Sequence, residues 1–388
     1  MRRLMRTLAA SAAAVALGGG LLAAAVPSSA LLLVPVQPVT EGGPNRICAW
    51  PINYPAAANY SWPDTDAAYY VQSAFMEKGD ELIITGRDPK ARYWSIQTYN
   101  YRDRQVIDSV NDEQITRTGK GSKATWTVRV TTSKSRPGDN VLQGADPFKV
   151  PVGRLPNAED DGHQLTVVIY RVYRSSTGNP SGGVLPRVTV RTKDGRLDPL
   201  VPCSPKTQVG PPDNPVILER QLDVPADFVK APDGPFYPSY DTSYLLAERP
   251  YDPESILVVT GRAPRVPADV RYWSLCQNIN QRPLPVVDCV SDRDVKLTQG
   301  RYTIAIASRA QIPLSERAKY EGVTFVDWGK VNGQGGYEPA LLLFRNILPN
   351  PKFAYSVDQL DPYEPASPAM GDFAPVIGQV PISEFRAR

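Results

Sequence analysis

Two carboxylates, Asp108 and Asp112, have a spacing that suits acid–base chemistry. Alternate side chains along a strand point to the same face, so an even spacing places both carboxylates on it. Carboxyl groups held about 5–10 Å apart act as general acid and base in glycoside hydrolysis. The pair therefore supports one hypothesis, an extracellular hydrolase acting on polysaccharide or a similar polymer.

The single histidine, His163, is the third catalytic candidate, because it could act as the base for a serine. It precedes an apolar segment that starts at Leu165, and the sequence contains no Gly-x-Ser-x-Gly nucleophile motif. One histidine and the absence of a Cys-x-x-Cys pair leave no pattern for a metal centre. The sequence therefore predicts no metal and no cofactor, and it favours a protein that is not an enzyme.

A set of arginine, tryptophan and aspartate residues occurs twice and could bind a ligand. Arginine side chains hold carboxylates or sugars through paired hydrogen bonds, and tryptophan offers a stacking face. The alternative is structural, with arginine–aspartate pairs that tie strands together beside a core tryptophan. We favour the structural alternative, since a feature kept in both sets is most simply a folding requirement. The first set is Arg87, Arg92, Trp94, Asp108 and Asp112, and the second is Arg262, Arg271, Trp273, Asp288 and Asp292.

Both sets belong to a longer internal repeat, in which five blocks recur in the same order at offsets of 174–180 residues. This regularity indicates two tandem domains that arose by internal duplication. The expected organisation is a signal peptide (1–30), an extended lead-in (31–60), two domains (61–205 and 206–360) and a proline-punctuated tail (361–388). The matching blocks are Leu82–Arg87 with Leu257–Arg262, Arg92–Ser95 with Arg271–Ser274, Val106–Asp112 with Val286–Asp292, Trp126–Val128 with Tyr302–Ile304, and Val168–Arg171 with Leu342–Arg345.

Strands dominate the predicted elements of each repeat. Trp126, Val128 and Val130 alternate with polar residues, which gives one apolar and one polar strand face. The segment Ala67–Lys78 also fits helical spacing, but its counterpart Tyr244–Arg249 is too short for a helix, so we favour a strand in both. The 39 prolines further disfavour helices. The sequence therefore predicts an all-β protein of two tandem antiparallel β-sandwich domains.

The four cysteines predict two disulfides, provided that the chain is exported. Cys276 and Cys289 are close in sequence and can lie opposite each other if their segments form adjacent strands. Cys48 and Cys203 would then pair with each other by default. Free buried thiols are the alternative.

The N-terminus has the features of a secretory signal peptide. Three arginines precede an apolar stretch, and Ser28 and Ala30 supply the small residues needed for cleavage. An uncleaved anchor is the alternative, because Leu31–Val34 prolongs the apolar run. Without residues 1–30 the chain has 40 basic and 40 acidic residues, and a neutral body argues against nucleic-acid binding. We therefore expect a secreted or cell-envelope protein with no membrane association after cleavage.

The Gly-Arg, Pro and Arg-Tyr-Trp-Ser elements of residues 86–95 resemble those of uncharacterised exported actinobacterial proteins. They are also similar to a widespread bacterial domain of unknown function, which ends in an Arg-x-Tyr strand, here Arg171-Val172-Tyr173. The resemblance implies β-sandwiches of jelly-roll type, and it indicates almost nothing about activity. The second repeat departs from it, since Asn346-Ile347 replaces Val172-Tyr173.

These observations together predict an exported binding or structural module. Its ligand is unknown, and a carbohydrate or another envelope component is the class considered. The carboxylate-dependent hydrolase is the alternative.

Overall fold

Strands dominate the computed structural model, which describes residues 48–54, 59–101, 104–133, 139–145, 165–203, 217–232, 237–282, 284–329 and 337–387. Within these ranges the helices are all short, so the predicted all-β class is confirmed. The α-helices are α1 (Leu314–Arg317), α2 (Ala366–Ala369) and α3 (Ile382–Arg386), and single 3-10 turns occur at Gly121–Lys123, Val357–Gln359 and Gly371–Phe373.

The first half folds into two five-stranded sheets. We call the sheet that faces the other half of the protein the inner sheet, and its strand order is β1-β2-β8-β4-β5. The outer sheet lies on the far side of the core and has the order β10-β9-β3-β6-β7. Pairing is antiparallel except between β6 and β7, which run parallel. The strands are β1 (Ile52–Tyr54), β2 (Ala67–Phe75), β3 (Glu81–Gly86), β4 (Ala91–Asn100), β5 (Val106–Asn111), β6 (Trp126–Thr131), β7 (Val141–Gln143), β8 (Leu165–Ser175), β9 (Arg187–Arg191) and β10 (Leu197–Pro199).

The second half has an inner sheet of order β12-β13-β21-β15-β17, which matches the first inner sheet strand for strand. Its outer sheet has the order β18-β19-β14-β22, and β20 runs parallel to β19 as β7 does to β6. The separate pair β11–β16 lies outside both sheets. The strands are β11 (Ile217–Arg220), β12 (Val229–Lys230), β13 (Thr242–Arg249), β14 (Ser255–Arg262), β15 (Val270–Asn278), β16 (Gln281–Arg282), β17 (Val286–Ser291), β18 (Leu297–Thr298), β19 (Arg301–Ala307), β20 (Val323–Asp327), β21 (Ala340–Pro349) and β22 (Val376–Pro381).

Each half has its own hydrophobic core between its two sheets, as a β-sandwich requires. In the first half Trp94 of the inner sheet stacks on Trp126 of the outer sheet with ring centroids 5.0 Å apart. In the second half Trp273 packs on Tyr302 at 5.4 Å. The five repeated sequence blocks fall on equivalent strands of the two sandwiches. Their origin by duplication stays a prediction from the sequence.

The glycine of the repeated Gly-Arg motif is explained by this packing. A Cβ atom on Gly86 would lie 2.7 Å from the Trp126 ring, which pairs across the sheet from it. A Cβ on Gly261 would meet the hydroxyl of Tyr302 in the same way. The repeated glycine therefore leaves room for the large aromatic ring of the neighbouring strand.

The C-terminal segment, which was predicted as a tail, is part of the second sandwich. Its strand β22 pairs with β14 and forms an edge of the outer sheet. Met370 and Ala374 belong to the second core, and the Phe385 side chain is also buried. The prolines of this segment therefore lie between short elements that pack on the sandwich.

Both predicted disulfides are present. Cys276 and Cys289 are directly opposite each other on the paired strands β15 and β17. Cys48 and Cys203 join the start and the end of the first half across 155 residues. The described part of the chain has no free cysteine.

Candidate functional site

The candidate site lies between the two inner sheets, because these sheets are apolar on both faces. Strand β8 is apolar from Leu165 to Tyr173 except at Thr166 and Arg171, and all of these residues are buried. Its alternate side chains Val168, Tyr170 and Val172 fill the first core. The remaining side chains point to the second half, and Tyr173 contacts Tyr272 with ring centroids 5.3 Å apart. The same pattern on β21 buries both of its faces.

Two reciprocal ion pairs border this interface. Arg92 of the first half donates to Asp292 of the second at 2.5 Å, and Arg271 of the second donates to Asp112 of the first at 2.6 Å. Arg271 also donates to Glu113 and to the carbonyl oxygen of Arg92. Because each arginine and each aspartate has its equivalent in the other repeat, the two sandwiches face each other with approximate two-fold symmetry.

Burial changes the acidity of both aspartates. Desolvation raises the pKa of Asp112 to about 6, although the Arg271 cation acts in the opposite direction. Desolvation also raises the pKa of Asp292 above its ordinary value, with Arg92 opposing it. Burial at the interface therefore makes both carboxyl groups weaker acids than they are in water, although each is paired with an arginine.

Two crossing segments, one around Trp62 before β2 and one around Tyr237 before β13, each reach the opposite sandwich. Trp62 packs on the second half among Leu246, Leu341 and Leu343, and its indole N–H donates to the Ile279 carbonyl at 2.9 Å. Tyr237 packs against the first half. Both residues have positive φ angles, +50° and +58°, and each precedes a proline. These two turns direct carbonyl groups at two buried arginines.

The first of these arginines, Arg171 on β8, is 3% exposed. Its Nη2 donates to the Tyr237 carbonyl at 2.8 Å, and its Nη1 donates to Gln97 Oε1 at 3.0 Å. The guanidinium also lies over the rings of Tyr69 and Tyr99, at 5.8 and 5.3 Å from their centroids. Arg171 is therefore fixed by neutral groups.

The same network continues to Asp241. Gln97 Nε2 donates to Asp241 Oδ2 at 3.3 Å, and the Tyr93 hydroxyl donates to that oxygen at 2.6 Å. Asn111 Nδ2 donates to the other carboxylate oxygen at 3.0 Å. The Gln97 amide therefore lies between the Asp241 carboxylate and the Arg171 guanidinium.

The second arginine, Arg345 on β21, is 2% exposed and has a carboxylate partner. Its Nη1 lies 3.5 Å from Asp64 Oδ2, and its Nη2 donates to the Trp62 carbonyl at 2.5 Å. Tyr272 and Ser274 also donate to Asp64 Oδ2. The Cys276 sulfur, which replaces Gln97 of the first repeat, accepts from Arg345 Nη1.

Asp64, Cys276 and Cys289 bring their ligand-type atoms within 4.8 Å of one another. The two sulfur atoms are joined in a disulfide, so they are not thiolates that could ligate a metal. The trio is therefore a structural contact of the Arg345 network.

The two arginines line one cavity of about 130 Å³ between the sandwiches. Burial raises the pKa of Tyr69, one of the lining residues, to about 12, so its hydroxyl stays neutral at physiological pH. This hydroxyl is 2.7 Å from that of Tyr173. The remaining lining is mostly apolar, and an engineered apolar cavity of about 150 Å³ accepts benzene. Lining side chains include Val71, Ile169, Tyr237, Tyr244, Leu246 and Leu343.

The structure distributes the predicted site residues over several places. Trp94 and Trp273 fill the two cores, and the reciprocal pairs use Arg92, Asp112, Arg271 and Asp292. Arg87 is exposed, and Arg262 lies over the Phe373 ring at 5.5 Å. His163 and the acidic run 159–161 lie outside the described residues.

The two catalytic candidates on β5 and its end have separate partners. Asp108 accepts from the backbone N–H groups of Ser109 and Gln143, at 2.9 and 2.8 Å. Its counterpart Asp288 likewise accepts from Cys289 and from Asp327. Asp112 faces Arg271 of the other half. Asp108 therefore joins strands within one sandwich, whereas Asp112 joins the two sandwiches.

Sequence reasoning missed Arg171, Arg345 and the two crossing segments as site residues. Two signals were available. An arginine in the middle of each apolar strand marks a buried cation, and Trp62-Pro63 recurs as Tyr237-Pro238 at an offset of 175 residues, which matches the repeat. Their convergence on one cavity has no signature in the sequence, because it depends on how the two sandwiches pack.

No protein-family model and no curated protein matches the chain. Among solved structures, an uncharacterised protein from Burkholderia cenocepacia is similar over 84% of this chain and 79% of its own, with 12% identity and a TM-score of 0.51. A Vibrio parahaemolyticus protein matches over 82% of this chain and 90% of its own, with 12% identity and a TM-score of 0.42. The Burkholderia structure supports the fold alone.

Helices long and apolar enough to cross a bilayer are absent from the described ranges.

Proposed function

We propose that the protein is an exported binding module that holds a small molecule in the cavity between its two sandwiches. The observation that carries this proposal is a largely apolar cavity that is lined by two buried arginines. Ligand sites combine apolar walls with a few fixed polar groups in this way. The two disulfides support export, because such bonds persist in oxidising compartments.

The cavity residues would bind a ligand with little rearrangement. Carbonyl groups of the crossing segments hold both arginines in place, so their side-chain entropy is already lost before binding. The tyrosine rings and aliphatic side chains would cover the apolar part of the ligand. Asp108 and Asp112 have separate structural partners, so no observation favours the hydrolase over the binding module.

Cavity filling tests this proposal. Ala231 lines the cavity, and the change Ala231→Phe places a ring inside it while keeping the backbone hydrogen bond to Tyr244. Ala268→Phe, on an exposed loop, is the matched control. Isothermal titration calorimetry would use benzoate, hexanoate, benzyl alcohol and hexan-1-ol.

We expect wild type and Ala268→Phe to bind at least one of these compounds, and Ala231→Phe to lose at least tenfold in affinity for it. The proposal fails if wild type binds none of them, or if Ala231→Phe binds as wild type does.

A further inference from the structure

The two buried arginines differ in how their charges are balanced. Arg345 has Asp64 beside it, and Asp64 is completely buried. Arg171 has no carboxylate partner of this kind among the described residues, because it donates to a side-chain amide and to a backbone carbonyl. Arginine carries five N–H donors, and in the described structure Arg171 uses two of them on these groups.

A buried cation without a counter-ion lowers the stability of the folded protein. Moving a charge out of water costs several kcal/mol unless an opposite charge or full hydrogen bonding replaces the lost hydration. The rings of Tyr69 and Tyr99 offset part of this cost through cation–π contacts. Asp241 is held by three neutral donors and is separated from Arg171 by Gln97. A ligand anion in direct contact with Arg171 would therefore contribute more binding free energy than the same anion in contact with Arg345.

The cavity chemistry restricts that counter-ion. Arg345 is already balanced, so one negative charge suffices, and a dianionic group would leave an excess charge in an apolar site. Planar carboxylates match the fork of an arginine, which binds them through two parallel hydrogen bonds. The volume of about 130 Å³ corresponds to an apolar body of about the size of a benzene ring.

Resting on the proposed function, we infer that the ligand is a monocarboxylate with an apolar body of about five to seven carbon atoms, close to the size of a benzene ring. Its carboxylate binds the Arg171 guanidinium, and its body lies among the tyrosine and aliphatic side chains of the cavity. Arg345 and Asp64 hold the opposite wall. Neutral ligands of the same shape bind more weakly, because they leave the Arg171 charge without a counter-ion.

The unmodified protein supplies the first test. Benzoate and benzyl alcohol have nearly the same shape and differ in charge, as do hexanoate and hexan-1-ol, and benzylammonium reverses the sign. By calorimetry at pH 7.5 we expect each carboxylate to bind at least tenfold more tightly than its alcohol, with no measurable binding of benzylammonium. Alcohols that bind as tightly as the carboxylates would overturn this inference and leave the cavity-binding proposal intact.

Arg171→Met is the second test, with Arg174→Met as the matched control. Both arginines lie on β8, but Arg174 pairs with Asp66 and Asp294 and does not line the cavity. We expect Arg171→Met to bind benzoate no better than benzyl alcohol, and Arg174→Met to keep the wild-type preference. Retained preference in a folded Arg171→Met protein would contradict the inference. If this variant does not fold, the wild-type comparison still decides.

If none of the compounds binds wild type, the proposed function itself fails.

Discussion

Removing Arg271 should cost more stability than removing its partner Asp112. The Asp112 side chain is 12% exposed and that of Arg271 is 24% exposed, so this pair lies between the surface and the buried cases. Fully buried pairs cost about 3–5 kcal/mol when one partner is lost, and exposed pairs are worth at most about 1 kcal/mol. We therefore expect Arg271→Gln to lower the free energy of unfolding by about 1–3 kcal/mol at pH 8.

Asp112→Asn should cost less than about 1 kcal/mol. The amide oxygen still accepts a hydrogen bond, and Arg271 retains Glu113 and the Arg92 carbonyl. The asymmetry arises because Arg271→Gln leaves an ionised carboxylate at the interface, whereas Asp112→Asn removes that charge.

The loss of unfolding free energy caused by Arg271→Gln should be smaller at acidic pH than at pH 8. In the folded protein the pKa of Asp112 is raised to about 6 from its ordinary value of 3.8. The folded state therefore holds this proton more tightly, and the contribution of Asp112 to stability grows as the pH falls through 6 towards 4. At pH 5 the carboxylate is largely protonated, so the loss of its cation matters less.

Urea denaturation at pH 8 and pH 5 measures these differences, provided that the m-values of the variants agree. Lys193→Gln is the control, since both members of the Lys193–Glu77 pair are exposed, at 64% and 48%, and its loss should leave the urea midpoint nearly unchanged. Equal costs for Arg271→Gln and Asp112→Asn at pH 8 would refute the reasoning. A cost of Arg271→Gln that persists undiminished at pH 5 would refute it as well.

Three further changes test the fold. Replacing Cys276 and Cys289 by serine should lower the free energy of unfolding by about 3 kcal/mol, because the disulfide closes a loop with a separation of 13 residues; unchanged urea midpoints would contradict this. Gly86→Ala should cost about 1–3 kcal/mol through its clash with a tryptophan ring, whereas Gly178→Ala, which meets no atom within 4 Å, should be near neutral in the same assay. Trp94→Ala should cost about 3–5 kcal/mol and lower the thermal midpoint, and a loss below 1 kcal/mol would argue against its core position.

Local sequence patterns predicted much of the fold. Alternation around Trp126 and the apolar run of β8 indicated strands, because side-chain direction along a strand follows a period of two. The Cys276–Cys289 disulfide followed from two nearby segments that pair as neighbouring strands. For the C-terminal segment the prolines predict a tail, and this prediction is wrong because the short strand β22 is stabilised by pairing with β14, which is distant in sequence.

Local sequence patterns predicted less of the candidate site than of the fold. The sequence showed Arg92, Arg271, Asp112 and Asp292 as repeated residues, and it suggested that such residues pair within a domain. In the structure each pairs across the interface, with a partner about 160–200 residues away. Strand periodicity cannot predict such pairs. It determines on which face of a sheet a side chain lies, but not which other part of the protein packs against that face.

The sequence by itself therefore determined the all-β class and the twofold recurrence of one strand pattern, and it predicted the disulfide pairing that the structure confirms. Each of these follows from backbone periodicity or from covalent chemistry. The tertiary structure alone decided that the two inner sheets face each other, that Trp62 and Tyr237 cross between the halves, and that Arg171 and Arg345 share one cavity. These features depend on the relative placement of two sandwiches, which is set by the sum of many weak long-range contacts.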